Sequence, residues 1–278
     1  MLHFERNGVS IPRLGYGTYQ VTGDRVAGAI ETALEAGYRH IDTAAMYGNE
    51  REIGAALKAV ALPRDEIFLT TKVWLDEVER DRVDSAVDES LSRLGVDHVD
   101  LLLLHWPVRG MEIARQVAPL AGIKASGRAR LVGVSNYTVA QMRDAISASE
   151  VPLDVLQCEY HPELDQDPLL DVVRGEGMLF TSYSPLGQGG AMGAEVIRQI
   201  AQAHGKDPGQ VVLRWHLQQD NVAAIPKAAS DGHIRSNIDV FDFELSDREM
   251  QAITALRRPD GRIVDPGFAP DWDTGVAA

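Results

Sequence analysis

The chain alternates. Eight short apolar runs close on polar residues and are separated by amphipathic stretches. The runs are "PRLGYGTY", "YRHIDT", "IFLTTKVW", "VDLLLLHWP", "ARLVGVSNY", "LDVLQCEYH", "MLFTSYSP" and "VAAIPKA". Short runs rich in leucine and β-branched residues mark strands covered on both faces, the habit of parallel sheets. The intervening stretches, such as "DRVAGAIETALEAG" and "DRVDSAVDESLSRLG", begin near an acid and stop at glycine, as helix ends favour. The seventh connection is longer, and "GAEVIRQIAQAHG" and "DPGQVVLRWHLQQ" read as two helices. Eight βα units joined by right-handed crossovers close into a barrel, with a doubly wound open sheet as the rival topology. "FERNGVSI" ahead of them reads as a hairpin turning at Asn7-Gly8. The expected fold is therefore an α/β, (β/α)8 TIM barrel with an N-terminal β-hairpin. No proline-rich or serine-rich linker interrupts the 278 residues, so 1–278 is expected to be one domain.

Charge and cysteine content narrow the function classes. A formal net charge of −14 repels nucleic acid, and no basic run offsets it. The single cysteine, Cys158, rules out disulfide scaffolds and cysteine metal sites within one chain, and no metal is expected. "MLHFERNG" lacks an apolar signal core, and the longest apolar stretch, near "VDLLLLHWPV", is far short of the roughly 20 residues of a membrane span. A soluble, reducing, cytoplasmic setting is the expectation.

A barrel of this kind carries its active site at the C-terminal ends of its strands. Those ends deliver Asp42 with Tyr47 in the following loop, then Lys72, His105 with Trp106, Ser135 with Asn136, Gln157, Ser182 with Tyr183, and Lys227. Each has a plainer role when taken singly. Asp42 would cap a helix, Lys72 would reach out of the barrel, His105 would be a satisfied core histidine and Tyr47 a packing aromatic. A barrel brings the four together, and their combined chemistry is coherent. A phenol titrates near pH ~10, too high for efficient proton transfer near neutrality. A neighbouring lysine cation would lower that value, an aspartate would keep the lysine charged, and a histidine would donate to a carbonyl oxygen. This set protonates an oxygen that is becoming an alkoxide, and it lacks only a hydride donor.

"LGYGTY", "GYRHIDTAAMYGNE", "TTKVW", "LLLLHWP", "GVSNY", "SYSPLG" and "VFDFELSDREM" occur in the order seen in the aldo-keto reductases. The chain resembles that family along nearly its whole length, in particular its bacterial diketogluconate and methylglyoxal reductases. The resemblance implies a catalytic tetrad of Asp42, Tyr47, Lys72 and His105, with Tyr47 as general acid. It implies NADPH as hydride donor. Ser135, Asn136 and Gln157 would hold the carboxamide and Tyr183 would stack on the ring. Thr18, Ser184, Leu186 and Gly187 would also contact the cofactor, with "GQGGAMG" folding over the pyrophosphate. No Rossmann glycine pattern is present, in keeping with the family.

The resemblance frays after the last strand, at "IPKAASDGHIRSN". Lys227 is kept where the family grips the adenosine 2′-phosphate, and Asn237 matches an adenine contact. Ala228 stands at the serine position and His233 at the arginine position, with Arg235 two residues on. A neutral histidine cannot grip phosphate bidentately, so NADPH is favoured over NADH only weakly, and NADH is admitted. Tyr19, Met46, Trp74 and Trp106 flank the tetrad and are expected to line an apolar pocket for a small carbonyl compound, with Trp272 of the tail reaching it. Candidate substrates are methylglyoxal-like aldehydes and diketogluconate, and a monomer is expected. The alternatives are a Schiff-base aldolase built on a strand-end lysine and a non-catalytic cofactor sensor.

Overall fold

The computed structural model describes residues 1–273. Strands β1 (His3–Arg6) and β2 (Val9–Pro12) pair antiparallel as the expected hairpin. Asn7 and Gly8 both take positive φ, 49° and 75°, the backbone that an asparagine-glycine turn supplies cheaply.

Eight parallel strands follow in sequential order: β3 (Tyr16–Gly17), β4 (His40–Asp42), β5 (Phe68–Val73), β6 (Val99–Leu104), β7 (Ala129–Ser135), β8 (Val155–Glu159), β9 (Leu179–Tyr183) and β10 (Val222–Ala224). Parallel bridges from Leu14 to Ala224 and from Gly17 to Lys227 join the first strand to the last, closing the ring. The seam is tight. A side chain at Gly17 would place its Cβ 2.7 Å from the Ile225 carbonyl oxygen, which explains the glycine there.

Helices fill the connections. They are α1 (Arg25–Glu35), α2 (Glu50–Ala59), α3 (Leu75–Glu79), α4 (Val83–Leu94), α5 (Ile113–Val117) and α6 (Pro119–Ala125). Then come α7 (Val139–Ala148), α8 (Asp167–Gly175), α9 (Glu195–His204), α10 (Pro208–Gln218), α11 (Asp231–Ile238) and α12 (Asp247–Thr254). The seventh connection does hold two helices, α9 and α10. Among the described residues no helix is long and apolar enough to cross a membrane.

The two-residue period of the strands sets the whole design. Phe68, Leu101, Leu103, Leu131, Val155, Leu179 and Ala223 form one buried cluster with Val9 and Ile11 of the hairpin. Their neighbours Leu69, Leu102, Leu104, Val132, Leu156 and Phe180 pack with the helices in the other cluster. The hairpin thus plugs the N-terminal end of the barrel. It is pinned by buried Asp154, which accepts from Asn7 Nδ2 at 2.6 Å and from Arg6 Nε at 3.2 Å. Continued two or four residues along each strand, the inward parity reaches Lys72, His105, Ser135, Gln157 and Tyr183 at the other end.

Candidate active site

The four tetrad candidates meet at the C-terminal mouth. Lys72 has no exposed surface, and its Nζ donates to Asp42 Oδ1 at 2.5 Å, to the Thr43 carbonyl at 2.9 Å and to Tyr47 Oη at 3.2 Å. All three ammonium protons are therefore directed. Tyr47 reaches the lysine from a short turn, Ala45–Tyr47, that ends at Gly48 in the left-handed region. Its ring lies edge-on to His105 with centroids 5.7 Å apart, and His105 lies edge-on to Trp74 at 5.1 Å.

The charge states follow from burial and from these contacts. Burial works against the Lys72 charge, but Asp42 and then Tyr47 outweigh it and hold the ammonium above its ordinary value. Burial is also the largest influence on Tyr47 and pushes its phenol up, while Lys72 pulls the other way without reversing it. The lysine thus lowers the phenol as expected, and burial outweighs it so that the net direction is upward. The phenol is thus protonated at neutral pH. Burial and the Lys72 charge push the His105 imidazole well below its usual range, so the ring is neutral. Its Nδ1 is buried with no hydrogen-bond partner among the described residues.

A polar shelf adjoins the tetrad. Gln157 Nε2 donates to Asp42 Oδ2 at 2.8 Å, which fixes the amide orientation and leaves Oε1 free to accept. Asn136 donates to the His105 carbonyl at 3.0 Å and to Ser135 Oγ at 3.1 Å, and its Oδ1 accepts from Tyr183 Oη at 2.7 Å. Ser135 keeps its own hydroxyl proton for donation. Asn136 and Ser184 both take positive φ, 66° and 47°, at the loop starts after β7 and β9. Thr18 is buried and donates to the Asp42 carbonyl at 2.9 Å, bracing β4 from behind. Leu186 and Gly187 lie on the loop after β9, where "GQGGAMG" forms two short helical turns, Gly187–Gly189 and Ala191–Gly193.

Lys227 is exposed at the barrel seam, beside the start of α11. Ser230 caps that helix by accepting from the His233 backbone amide, and His233 itself is exposed in the first turn. Arg235 is turned away to Glu35 of α1, at 2.9 Å between exposed side chains. Asn237 is buried.

Aromatic rings wall the mouth. Tyr19 is 49% exposed and its ring lies 5.1 Å from that of Tyr47, while Met46 beside it is 42% exposed. Trp106 is buried, and Trp272 of the tail lies edge-on to it at 6.0 Å. Sequence reasoning missed Phe268, whose ring stands edge-on to both Trp74 at 5.4 Å and Trp106 at 5.3 Å. It also missed Glu159, although its position two residues past Gln157 on the inward parity was a usable signal.

A closed (β/α)8 barrel with a hydrogen-bonded lysine, tyrosine and aspartate beside a neutral histidine at its mouth defines a proton-donating site for oxygen chemistry. The Aldo/keto reductase family model matches residues 13–258, and the chain belongs to that family of oxidoreductases. An aldo-keto reductase of Mycolicibacterium smegmatis is 43% identical over 251 residues, covering 90% of this chain and 91% of the relative. The methylglyoxal reductase DkgA of Yersinia pestis is 40% identical over 253 residues, 90% of each chain. A crystal structure assigned to 2,5-diketo-D-gluconic acid reductase B superimposes with a TM-score of 0.94 at 43% identity, covering 98% of both chains.

Proposed function

We propose that the protein reduces a small aldehyde or ketone to the alcohol, with Tyr47 as the general acid and NADPH as the preferred hydride source. The observation that carries this reading is Lys72 bound at once by Asp42 and Tyr47, at 2.5 and 3.2 Å, in a buried site. When bound, the nicotinamide supplies a hydride to the carbonyl carbon. The chain's own residues do the rest. The Tyr47 phenol gives its proton to the carbonyl oxygen, and the Lys72 ammonium stabilises the phenolate left behind. Asp42 keeps Lys72 charged. Neutral His105, as a hydrogen-bond donor, aligns the carbonyl. A preorganised donor set in a water-poor site is the usual source of such stabilisation.

The residues present fit a flat cofactor bearing an amide. Ser135 offers a donor and Gln157 Oε1 an acceptor, and Tyr183 is fixed by its bond to Asn136. Lys227, His233 and the Ser230-capped start of α11 suit a phosphate. Arg235, paired with Glu35, has to turn away from it to help. The preference for NADPH over NADH is therefore modest in this reading.

Substrates are taken to be small dicarbonyls of the methylglyoxal type, or diketogluconate, held among Tyr19, Met46, Trp74, Trp106, Phe268 and Trp272. The names of the Yersinia relative and the diketogluconate reductase structure support that choice. The same reading takes 1–278 as one domain and the enzyme as a cytoplasmic monomer. A Schiff-base aldolase fits less well, because an imine-forming lysine needs a depressed pKa and Lys72 is held high. The test follows nicotinamide absorbance with methylglyoxal and with diketogluconate, using NADPH and NADH in parallel. Turnover favouring NADPH supports the reading. Silence with both cofactors, or a substrate imine trapped by borohydride, overturns it.

A further inference from the structure

The tail that supplies Phe268 and Trp272 has no regular structure of its own after α12, so something must hold it in place. The holding group is Glu159, the last residue of β8, which has no exposed surface. Its two oxygens take successive backbone amides of the tail. Oε1 accepts from Ile263 N at 2.7 Å and Oε2 from Val264 N at 2.9 Å. Arg262 Nη1 lies 3.6 Å from Oε2, and its guanidinium stacks on the Trp272 ring at 3.6 Å from the centroid. His161 Nε2 also contacts Oε1, at 3.0 Å.

We propose that Glu159 is a positioning residue for substrate recognition, acting through the tail by fixing Arg262, Ile263 and Val264 so that Phe268 and Trp272 stand against Trp106. This rests on the reading of those rings as the substrate wall. The geometry asks for a carboxylate in particular. Two adjacent N–H groups point at two oxygens, and a glutamine of the same shape offers one oxygen and turns an NH2 toward the other donor. Other ties hold the far end of the tail. The Arg109 guanidinium donates to the Ala269 carbonyl at 2.6 Å, and Asp273 accepts from Val139 N at 2.8 Å, so the far end of the tail stays tethered when the near end is released.

The experiment compares the wild type, Glu159→Gln, the Phe268→Ala/Trp272→Ala pair, and the triple variant. Hydrogen exchange reads the latch directly and needs no activity. The Ile263 and Val264 amides should exchange at least about tenfold faster in Glu159→Gln, the equivalent of one lost hydrogen bond. Steady-state kinetics with methylglyoxal should show KM raised about tenfold with kcat changed less than about threefold, and with cofactor affinity unchanged. In the Phe268→Ala/Trp272→Ala background, Glu159→Gln should add no further rise in KM, because the groups through which it acts are gone. Unchanged exchange at both amides overturns the latch. Additive effects on KM, or a fall in kcat with KM unmoved, overturn its role in recognition. A wild type that turns over no carbonyl overturns the substrate-wall reading, and with it the recognition role, while exchange still decides the latch.

Discussion

Gln157 and Asp42 are joined by a hydrogen bond of 2.8 Å, from Nε2 to Oδ2, while Lys72 holds the other carboxylate oxygen. One carboxylate therefore sets both the charge of the lysine and the orientation of an amide on the neighbouring shelf. The tetrad candidates and the polar shelf are one hydrogen-bonded network.

Asp42→Asn tests that coupling. The substituted amide must turn its oxygen toward Lys72 and its NH2 toward Gln157, which forces the Gln157 amide to flip. Cofactor affinity should fall about tenfold, the equivalent of one hydrogen bond near ~1.4 kcal/mol. Lys72 also loses its counter-charge in a site with no exposed surface, which costs about 3–5 kcal/mol of stability. Equilibrium cofactor titration and denaturant unfolding read the two effects separately.

Buried neutral histidines should make the fold acid-sensitive. Burial lowers His216 to about 3, and it also lowers His40 and His105. A histidine whose folded pKa is depressed binds its proton more readily in the unfolded chain. The stability is full above the unfolded value of about 6.5 and is lost as pH falls below it. At pH 5, His216 alone should cost about 2 kcal/mol relative to pH 7. Urea unfolding at both pH values, with and without His216→Gln, measures the difference, and the variant should show a shallower slope.

Cofactor choice should respond at His233. Arginine there restores a planar fork beside Lys227, so His233→Arg should raise the NADPH to NADH ratio of kcat/KM about tenfold. Glu35→Gln frees Arg235 from its exposed pair and should raise NADPH affinity by a few fold without touching NADH. Equal changes for both cofactors would place these residues away from the phosphate.

The barrel was legible in the sequence because its strands obey a period of two and end in polar residues. "FLTTKV" already places Phe68, Thr70 and Lys72 on one face, and the structure puts Phe68 in the apolar plug and Lys72 at the mouth. The meeting of Asp42, Tyr47, Lys72 and His105 at the mouth was legible through strand-end spacing and family likeness together. Less was visible where no period operates. Phe268 sits in a tail without helix or strand, so nothing in the chain announced that it turns back onto Trp74 and Trp106. The state of Tyr47 was also hidden. It depends on how far Asp42 neutralises Lys72 and how dry the site is, which are three-dimensional facts. The diversion of Arg235 to Glu35 joins residues 200 positions apart, beyond any local pattern.

The most direct measurement is the turnover of Tyr47→Phe with methylglyoxal and NADPH, set beside its equilibrium cofactor affinity. The substitution removes one oxygen and leaves the ring against Tyr19 and His105. General acid catalysis is worth roughly 10²–10⁴ in rate, so kcat should fall by that factor while cofactor affinity stays within about twofold. Turnover near the wild-type rate would contradict the assignment of Tyr47 as the proton donor.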